Sequence, residues 1–251
     1  MKKGTKNEKK PNEIDCPASE NCLIPILAHD LGTPINAIIG FSEFSIESLN
    51  EKNYDNLEKY LRIIHKQAKI AKEQILSLAD WNFEINGILE NKERFDISDL
   101  IDDLIDNYSE FSTQKNIQIR KIIEIENALI LGNKKATEII MRNLISNAIK
   151  FTSTNGLIEI FAINLNDTIE IIVKDNGIGI PKNKLDKIFQ KQEPQYGTDN
   201  EKGFGIGLSL CKRIIDKANE KIWIKSEKDK GTEFHFTISQ KNIKFEADDK
   251  N

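Results

Sequence analysis

The chain has 251 residues, with 36 lysines and arginines against 40 aspartates and glutamates, a net charge of −4 and 39% hydrophobic residues. This mixed charge gives no basic face of the kind that binds nucleic acid, so no nucleic-acid partner is expected. The three cysteines cannot form a disulfide framework, and no run of about 18 apolar residues is present to span a membrane. The length suggests about two domains, and a cytoplasmic protein is the expectation.

The first half of the chain is predicted to be helical. Residues 1–21 are polar and without a period, and are predicted to form a disordered arm. Apolar residues then recur at steps of three and four on both sides of a polar break at 50–56, a pattern typical of a coiled coil. Residues 22–88 are therefore predicted to form a helical hairpin. One hairpin alone has little to pack against, so a homodimer with a four-helix bundle is expected.

The apolar positions that recur at steps of three and four would form the core of this bundle, and we call them its seam. The seam runs along both helices. It consists of Ile24, Leu27, Leu31, Ile35, Ile38, Ser42, Ser45 and Leu49, followed by Leu57, Leu61, Ile64, Ala68, Ala71, Ile75, Leu78, Asn82 and Ile85.

A polar boundary at 86–94 precedes a region, 94–240, in which helix and strand patterns alternate. Helices are predicted at 98–113, 134–150, 181–189 and 206–218, the second of them capped by Asn133. Strands are predicted at 117–123, 128–131, 158–161, 169–173, 221–226 and 232–239. This order predicts an α+β layer with a largely antiparallel sheet covered by helices on one face. His235 alternates with Phe234 and Phe236 and is predicted to be exposed. Residues 241–251 form a polar tail.

The first helix contains the sequence His29-Asp30-Leu31-Gly32-Thr33-Pro34. A proline inside a helix costs about 3 kcal/mol, so its presence needs a reason. His29 precedes the seam residue Leu31 by two positions, which places it on the solvent face. Asp30 could orient the imidazole, and Thr33 offers a hydroxyl on the same face. This group would suit phosphoryl transfer, although a functionless surface histidine beside a kink is about equally compatible with the sequence.

The helix predicted at 134–150 carries Asn143, Asn147 and Lys150 on one face and apolar residues on the other. Amide oxygens suit Mg²⁺ and a lysine suits phosphate. An ordinary amphipathic helix would show the same pattern, so this motif alone does not decide the function.

Two glycine-rich segments follow. Asp175 comes directly after a predicted strand, and Gly177 and Gly179 next to it allow backbone to approach a ligand closely. The carboxylate could accept a hydrogen bond from an exocyclic amine such as adenine N6. The second segment, 203–207, opens a helix, where backbone N–H groups bind phosphate. Its glycine spacing and the polar loop before it do not fit a dinucleotide-binding fold.

The order and spacing of these motifs resemble those of the bacterial sensor histidine kinases of two-component systems. HDLGTP resembles their histidine box, NLISNAIKFT the N box, DNGIGI the first glycine box and GFGIGL the second; Ile188-Phe189 resembles a shortened F box. The resemblance implies a dimerisation and histidine phosphotransfer hairpin, followed by an α+β Bergerat-type (GHKL) ATP-binding sandwich.

The resemblance also implies residue roles. His29 would be the phosphoacceptor, Asp30 its adjacent base, and Thr33 would position water for dephosphorylating the partner. Asn147 would ligate Mg²⁺ while Asn143 and Lys150 lie near the phosphates of ATP, and Asp175 would bind adenine N6 in a pocket shaped by Gly177 and Gly179. The loop over the triphosphate would use Gly203, Gly205 and Gly207, with the lid at 190–202 and Lys202 as a phosphate contact.

The implied activity is that of an ATP-dependent autokinase that passes the phosphoryl group from His29 to an aspartate of a response regulator, and that also acts as a phosphatase. Input would come from a separate sensor protein or from the rest of a longer kinase. Two alternatives stay open: a nucleotide-gated dimeric scaffold, and a gyrase- or MutL-like ATP hydrolase. The hydrolases typically use a glutamate where this chain has Asn143, and an amide cannot act as a general base.

Three positions depart from the usual pattern of the family. Gly32 stands where many relatives have a basic residue, Phe204 where a small residue is common, and no second phenylalanine follows Phe189. These departures concern the lid and the rate more than nucleotide binding.

Overall fold

The computed structural model describes residues 23–82, 91–125, 128–190, 195–199, 205 and 207–240. Side chains of the first helix are described from residue 31 onward, and those of the second as far as residue 72 and at Ile75. Contacts between Cα atoms divide the chain into two compact units, residues 1–76 and 77–251. Within the described ranges, no helix combines the length and the apolar character needed to cross a membrane. The predicted arm (1–21) and tail (241–251) lie outside the described residues.

Two long helices, α1 (Leu23–Asn50) and α2 (Leu57–Asn82), form the elements of the predicted hairpin. The aromatic rings of Phe41, Phe44 and Tyr60 cluster with centroids 5.8 to 6.0 Å apart, so the two helices contact each other near the loop. Much of the predicted seam nevertheless stays uncovered in the single chain. Its exposed members include Ile35, Leu49, Leu61 and Ile75.

The second unit is a mixed α/β structure. Its described strands are β1 (Glu93–Asp96), β2 (Gln118–Glu124), β3 (Leu129–Gly132), β4 (Leu157–Asn164), β5 (Thr168–Asp175), β6 (Ile222–Glu227) and β7 (Gly231–Ser239). Its described helices are α3 (Ile97–Gln114), α4 (Lys134–Phe151), α5 (Lys182–Leu185) and α6 (Gly207–Lys217).

The main sheet has five strands in the order β2-β4-β5-β7-β6. The β2–β4 pair is parallel and the other three pairs are antiparallel, which confirms the predicted, largely antiparallel sheet. Side chains alternate between buried and half-buried along β4 and β5, as expected for strands with one face on a core. The buried apolar residues of α3, α4 and α6 belong to the same hydrophobic cluster.

A second, two-stranded sheet was not predicted. In this sheet β1 pairs antiparallel with β3, so that Phe95 lies opposite Ile130. The sequence predicted a polar boundary up to residue 94 because Phe95 is the only fully buried residue of β1. A four-residue strand with one buried side chain shows no measurable period.

The prediction that His235 is exposed was wrong, because its side chain is only 3% exposed. Alternation does place it on the face opposite Phe234 and Phe236, but neighbouring strands cover it there. Trp223 lies opposite it on β6 and stacks on the imidazole, with ring centroids 5.0 Å apart and planes 9° apart. Nδ1 of His235 lies 2.8 Å from Oε1 of Glu170. The histidine is therefore a structural part of this sheet face.

The substitution His235→Ala should destabilise the α/β unit. It removes the stacked ring and leaves the Glu170 carboxylate, whose side chain is 13% exposed, without its imidazole partner. We expect the free energy of unfolding to fall by about 2–4 kcal/mol, measured by urea unfolding followed through tryptophan fluorescence. The control His65→Ala changes an exposed histidine and should shift stability by less than about 0.5 kcal/mol. Equal losses in the two variants would contradict a structural role for His235.

Candidate active site

Helix α4 carries the polar residues that the sequence singled out. Its N-cap is Asn133, whose side-chain oxygen accepts a hydrogen bond from the backbone N–H of Ala136 at 2.7 Å, as predicted. The apolar side of the helix is buried in the core, and Asn143, Asn147 and Lys150 are half-buried on the other side. One face of α4 thus packs on the sheet while the other presents two amides and an ammonium group.

The two asparagines of α4 have different surroundings. Nδ2 of Asn143 donates to the carbonyl of Ile139 at 2.9 Å, so this amide is held against its own helix. No described residue forms a hydrogen bond with the side chain of Asn147, which is half-buried. An amide oxygen in that position fits Mg²⁺, which commonly takes one or two protein ligands and completes its shell with water and phosphate oxygens. The described residues contain no cluster of three or more acidic, histidine or cysteine side chains that would hold a metal by itself.

Asp175 ends β5 with a carboxyl group that is almost entirely buried, since the residue is 6% exposed. Its Oδ1 accepts a hydrogen bond from the backbone N–H of Gly177 at 2.8 Å. Burial raises the pKa of Asp175 from 3.8 to about 6, against the opposing effect of hydrogen bonds from the backbone of Gly177 and Thr232. A buried acceptor at a strand end can bind a ligand's amine, because few other groups there compete for it.

The loop after Asp175 requires glycine for two different reasons. A Cβ atom on Gly177 would collide with the carbonyl of Phe151 at the end of α4. Gly179 has φ +61° and would collide with the carbonyl of Glu227. The loop is also tied to α4 by a hydrogen bond from Ile178 N to Phe151 O of 3.1 Å. These glycines therefore allow the loop to lie directly against α4 and β6.

The start of α6 lies against α4. Gly207 is the first residue of α6, and a Cβ atom there would collide with Oδ1 of Asn143. Gly205, just before it, has φ +67°. Lys202 and Gly203 lie outside the described residues, as does much of the predicted lid. The structure thus brings together Asn143 and Gly207, and separately the Asp175 loop and the end of α4.

The predicted phosphoacceptor group belongs to the other unit. His29 and Asp30 have helical backbone in α1, but their side chains lie outside those described. Thr33 is exposed on the same helix, and Pro34 inside the helix is buried.

Three residues of this region were missed by the sequence analysis. Gly231 has φ +100°, and a Cβ atom there would collide with the carbonyl of Asp175. Lys115 and Thr198 meet at the carboxyl end of α4. Two sequence signals were present: the Gly231-Thr232 pair at the start of the last strand, and the position of Thr198 within the predicted lid. Lys115 follows a polar helix end of ordinary appearance and gave no signal.

Two family models match the chain in succession. Residues 22–82 match the His Kinase A (phospho-acceptor) domain, and residues 132–242 match the histidine kinase-, DNA gyrase B-, and HSP90-like ATPase. The first match covers α1 and α2, and the second covers α4 and most of the main sheet.

Curated relatives include the adaptive-response sensory kinase SasA of Prochlorococcus marinus strain MIT 9215. It is 29% identical over 225 residues, which are 88% of this chain and 58% of the relative. SasA of Synechocystis sp. is 28% identical over 223 residues, with 86% of this chain and 58% of the relative covered. This chain therefore spans less than two thirds of the length of these relatives.

Solved structures give the same picture of the fold. The catalytic domain of histidine kinase ThkA is 26% identical with a TM-score of 0.53, over 60% of this chain and 96% of that one. ThkA in complex with the response regulator protein TrrA is 24% identical with a TM-score of 0.64, over 87% of this chain and 61% of that one. Acinetobacter baumannii histidine kinase AdeS has a TM-score of 0.61 at 20% identity, over 85% of this chain and 98% of that one.

The stability of the α/β unit should depend on the ionisation of Asp175. The unfolded carboxyl titrates near 3.8 and the folded one near 6, so its contribution to stability is present below pH 3.8 and is lost as the pH rises through about 6. Asp175→Asn cannot lose a proton. Relative to the unsubstituted protein, this variant should gain about 2 kcal/mol of unfolding free energy between pH 4 and pH 7, the part of the full linkage that falls within this range. Urea unfolding without nucleotide measures this, and a difference that stays constant with pH would contradict it.

Proposed function

Since the chain belongs to the histidine kinase family, we propose that it is an ATP-dependent protein-histidine autokinase that carries the phosphoryl group on His29. The main support is the arrangement within the α/β unit. The Asp175 loop lies against the end of α4, where a Cβ atom on Gly177 would collide with the carbonyl of Phe151. The start of α6 lies against the polar face of α4, where Gly207 adjoins the side chain of Asn143. A helix matched by the phospho-acceptor model precedes this unit in the chain.

In the proposed complex, adenine donates its N6 amine to the buried carboxylate of Asp175. Asn147 supplies an amide oxygen to Mg²⁺, and when bound this ion would neutralise charge on the phosphates. Lys150 and Asn143 lie near the phosphates, and the glycines of 203–207 let the backbone approach them. Lys202 is proposed as a further phosphate contact. Asn147 supports this assignment because its half-buried amide is not engaged by any described residue.

The proposed reaction is an in-line transfer. A neutral imidazole nitrogen of His29 attacks the γ-phosphorus, an N–P bond forms, and the P–O bond to the leaving ADP breaks. Asp30 orients the imidazole and takes the proton that the phosphorylated ring releases. Positioning and charge neutralisation supply most of the catalysis in this chemistry. The phosphoryl group then passes to an aspartate of a response regulator. In the separate phosphatase reaction, Thr33 positions a water that attacks the aspartyl phosphate and releases inorganic phosphate.

The proposed assembly is a homodimer in which two hairpins form a four-helix bundle. The exposed seam residues Ile35, Leu49, Leu61 and Ile75 support it, because a second hairpin would bury apolar surface that one chain leaves in water. A response-regulator partner is supported by the structure of the relative ThkA with the response regulator protein TrrA. A separate sensor protein and a cytoplasmic location remain part of the proposal.

Incubation with Mg²⁺ and ATP labelled at the γ-phosphate tests the kinase activity. We expect acid-labile, base-stable label on the unsubstituted protein, and its loss in both His29→Gln and Asn147→Ala. His29→Gln should still bind ATP, because the substitution removes only the acceptor. Asn147→Ala should lose at least about tenfold in Mg²⁺-dependent affinity.

Matched controls are His65→Gln on α2 and Asn107→Ala on α3, both of which change exposed side chains. Both should be labelled like the unsubstituted protein. Steady release of phosphate that survives His29→Gln would identify an ATP hydrolase instead. ATP binding without any label would identify a nucleotide-gated scaffold.

A further inference from the structure

A buried lysine lies at the carboxyl end of α4. Lys115 follows α3 and is 4% exposed. Its Nζ donates to the carbonyl of Ile149 at 3.0 Å, of Lys150 at 3.1 Å and of Thr152 at 3.5 Å. The carbonyls of Ile149 and Lys150 belong to the last turn of α4, where carbonyls have no partner within the helix and carry the negative end of its dipole. Thr152 is the residue that follows the helix. The ammonium group therefore satisfies the helix end, and the helix end compensates for its burial.

The shortest contact of this ammonium group is with Thr198, in the described segment 195–199. Nζ of Lys115 donates to Oγ1 of Thr198 at 2.8 Å. The same hydroxyl lies 3.0 Å from the carbonyl of Thr152, and the backbone N–H of Thr198 donates to the carbonyl of Lys150 at 3.0 Å. The segment is thus joined to the last turn of α4 through one threonine.

A second contact reinforces this junction from the other side. Nζ of Lys150 donates to the backbone carbonyl of Gln195. The last turn of α4 also accepts the hydrogen bond from Ile178 in the Asp175 loop. Segment 195–199, the Asp175 loop and the phosphate-binding candidate Lys150 are consequently all fixed to the same helical turn.

We propose that Lys115 is a positioning residue that, through Thr198, fastens segment 195–199 against α4 and so slows the release of bound nucleotide. This inference rests on the proposed ATP binding. Lys115 donates to main-chain carbonyls and to a hydroxyl of the protein, and acts on the nucleotide only through the elements that it joins. Loss of the threonine hydroxyl should loosen the segment while α4 keeps its three carbonyl contacts to Lys115.

The test is the dissociation rate of a fluorescent N-methylanthraniloyl derivative of ATP, chased with excess ATP in the presence of Mg²⁺. Thr198→Val keeps the shape of the side chain and removes the hydroxyl. We expect dissociation to become on the order of tenfold faster, as for the loss of one charge-assisted hydrogen bond. The melting temperature without nucleotide should change little. Lys115→Met should both speed dissociation and lower the melting temperature, because it also leaves the end of α4 unsatisfied.

The matched control is Thr154→Val, which removes an exposed threonine hydroxyl just beyond the end of α4. It should leave the dissociation rate unchanged. If Thr198→Val releases the nucleotide at the rate of the unsubstituted protein, the positioning role is overturned while ATP binding stands. If the unsubstituted protein does not bind the probe or ATP at all, both the proposed function and this inference are overturned.

Discussion

The carbonyl groups of the last turn of α4 have no partners within the helix, and the candidate site depends on how they are satisfied. Lys115 donates to two of them and to the carbonyl of Thr152 just beyond the helix. Ile178 donates to the carbonyl of Phe151, and Thr198 to that of Lys150. Each donor comes from a different part of the chain. Unsatisfied buried carbonyls are costly, so these contacts hold three loops at one point. The half-buried face with Asn147 and Lys150 lies on the same helix and is positioned by the same contacts.

Local patterns were sufficient to predict most helices and strands. The alternation in β4 and β5 and the cap at Asn133 depend on residues close together in sequence, and all three agree with the structure. Strand β1 was missed because its pairing with β3 lies more than 30 residues away and only Phe95 is buried. A pairing of this kind depends on the tertiary fold, which a periodicity argument does not contain.

The residues of the candidate site likewise fall into those that the sequence identifies and those whose contacts depend on the tertiary fold. The glycines and amides could be found because their order and spacing in the sequence resemble those of a known family, although the contacts that require Gly177 and Gly179 are made with Phe151 and Glu227, far along the chain. The contacts of Lys115 could not, since its acceptors lie 34 to 83 residues further along the chain. His235 shows the same limit, because alternation gave its face correctly while its burial depends on Trp223 and Glu170 from other strands. The face on which a strand side chain lies thus follows from its position in the strand, whereas its burial depends on residues from other strands.

The antiparallel pairing of β5 with β7 has a consequence for folding during synthesis of the chain. Asp175 lies opposite Thr232 in that pairing, and the backbone of Thr232 contributes a hydrogen bond to its carboxylate. A chain emerging from the ribosome therefore has α4, β4 and β5 well before it has the strand that buries Asp175. Domains fold as units during synthesis, so the buried environment of this carboxylate arises only when β7 is available. A nascent chain stopped before that strand would contain most residues of the candidate site, but Asp175 would lack the buried environment that the folded unit gives it.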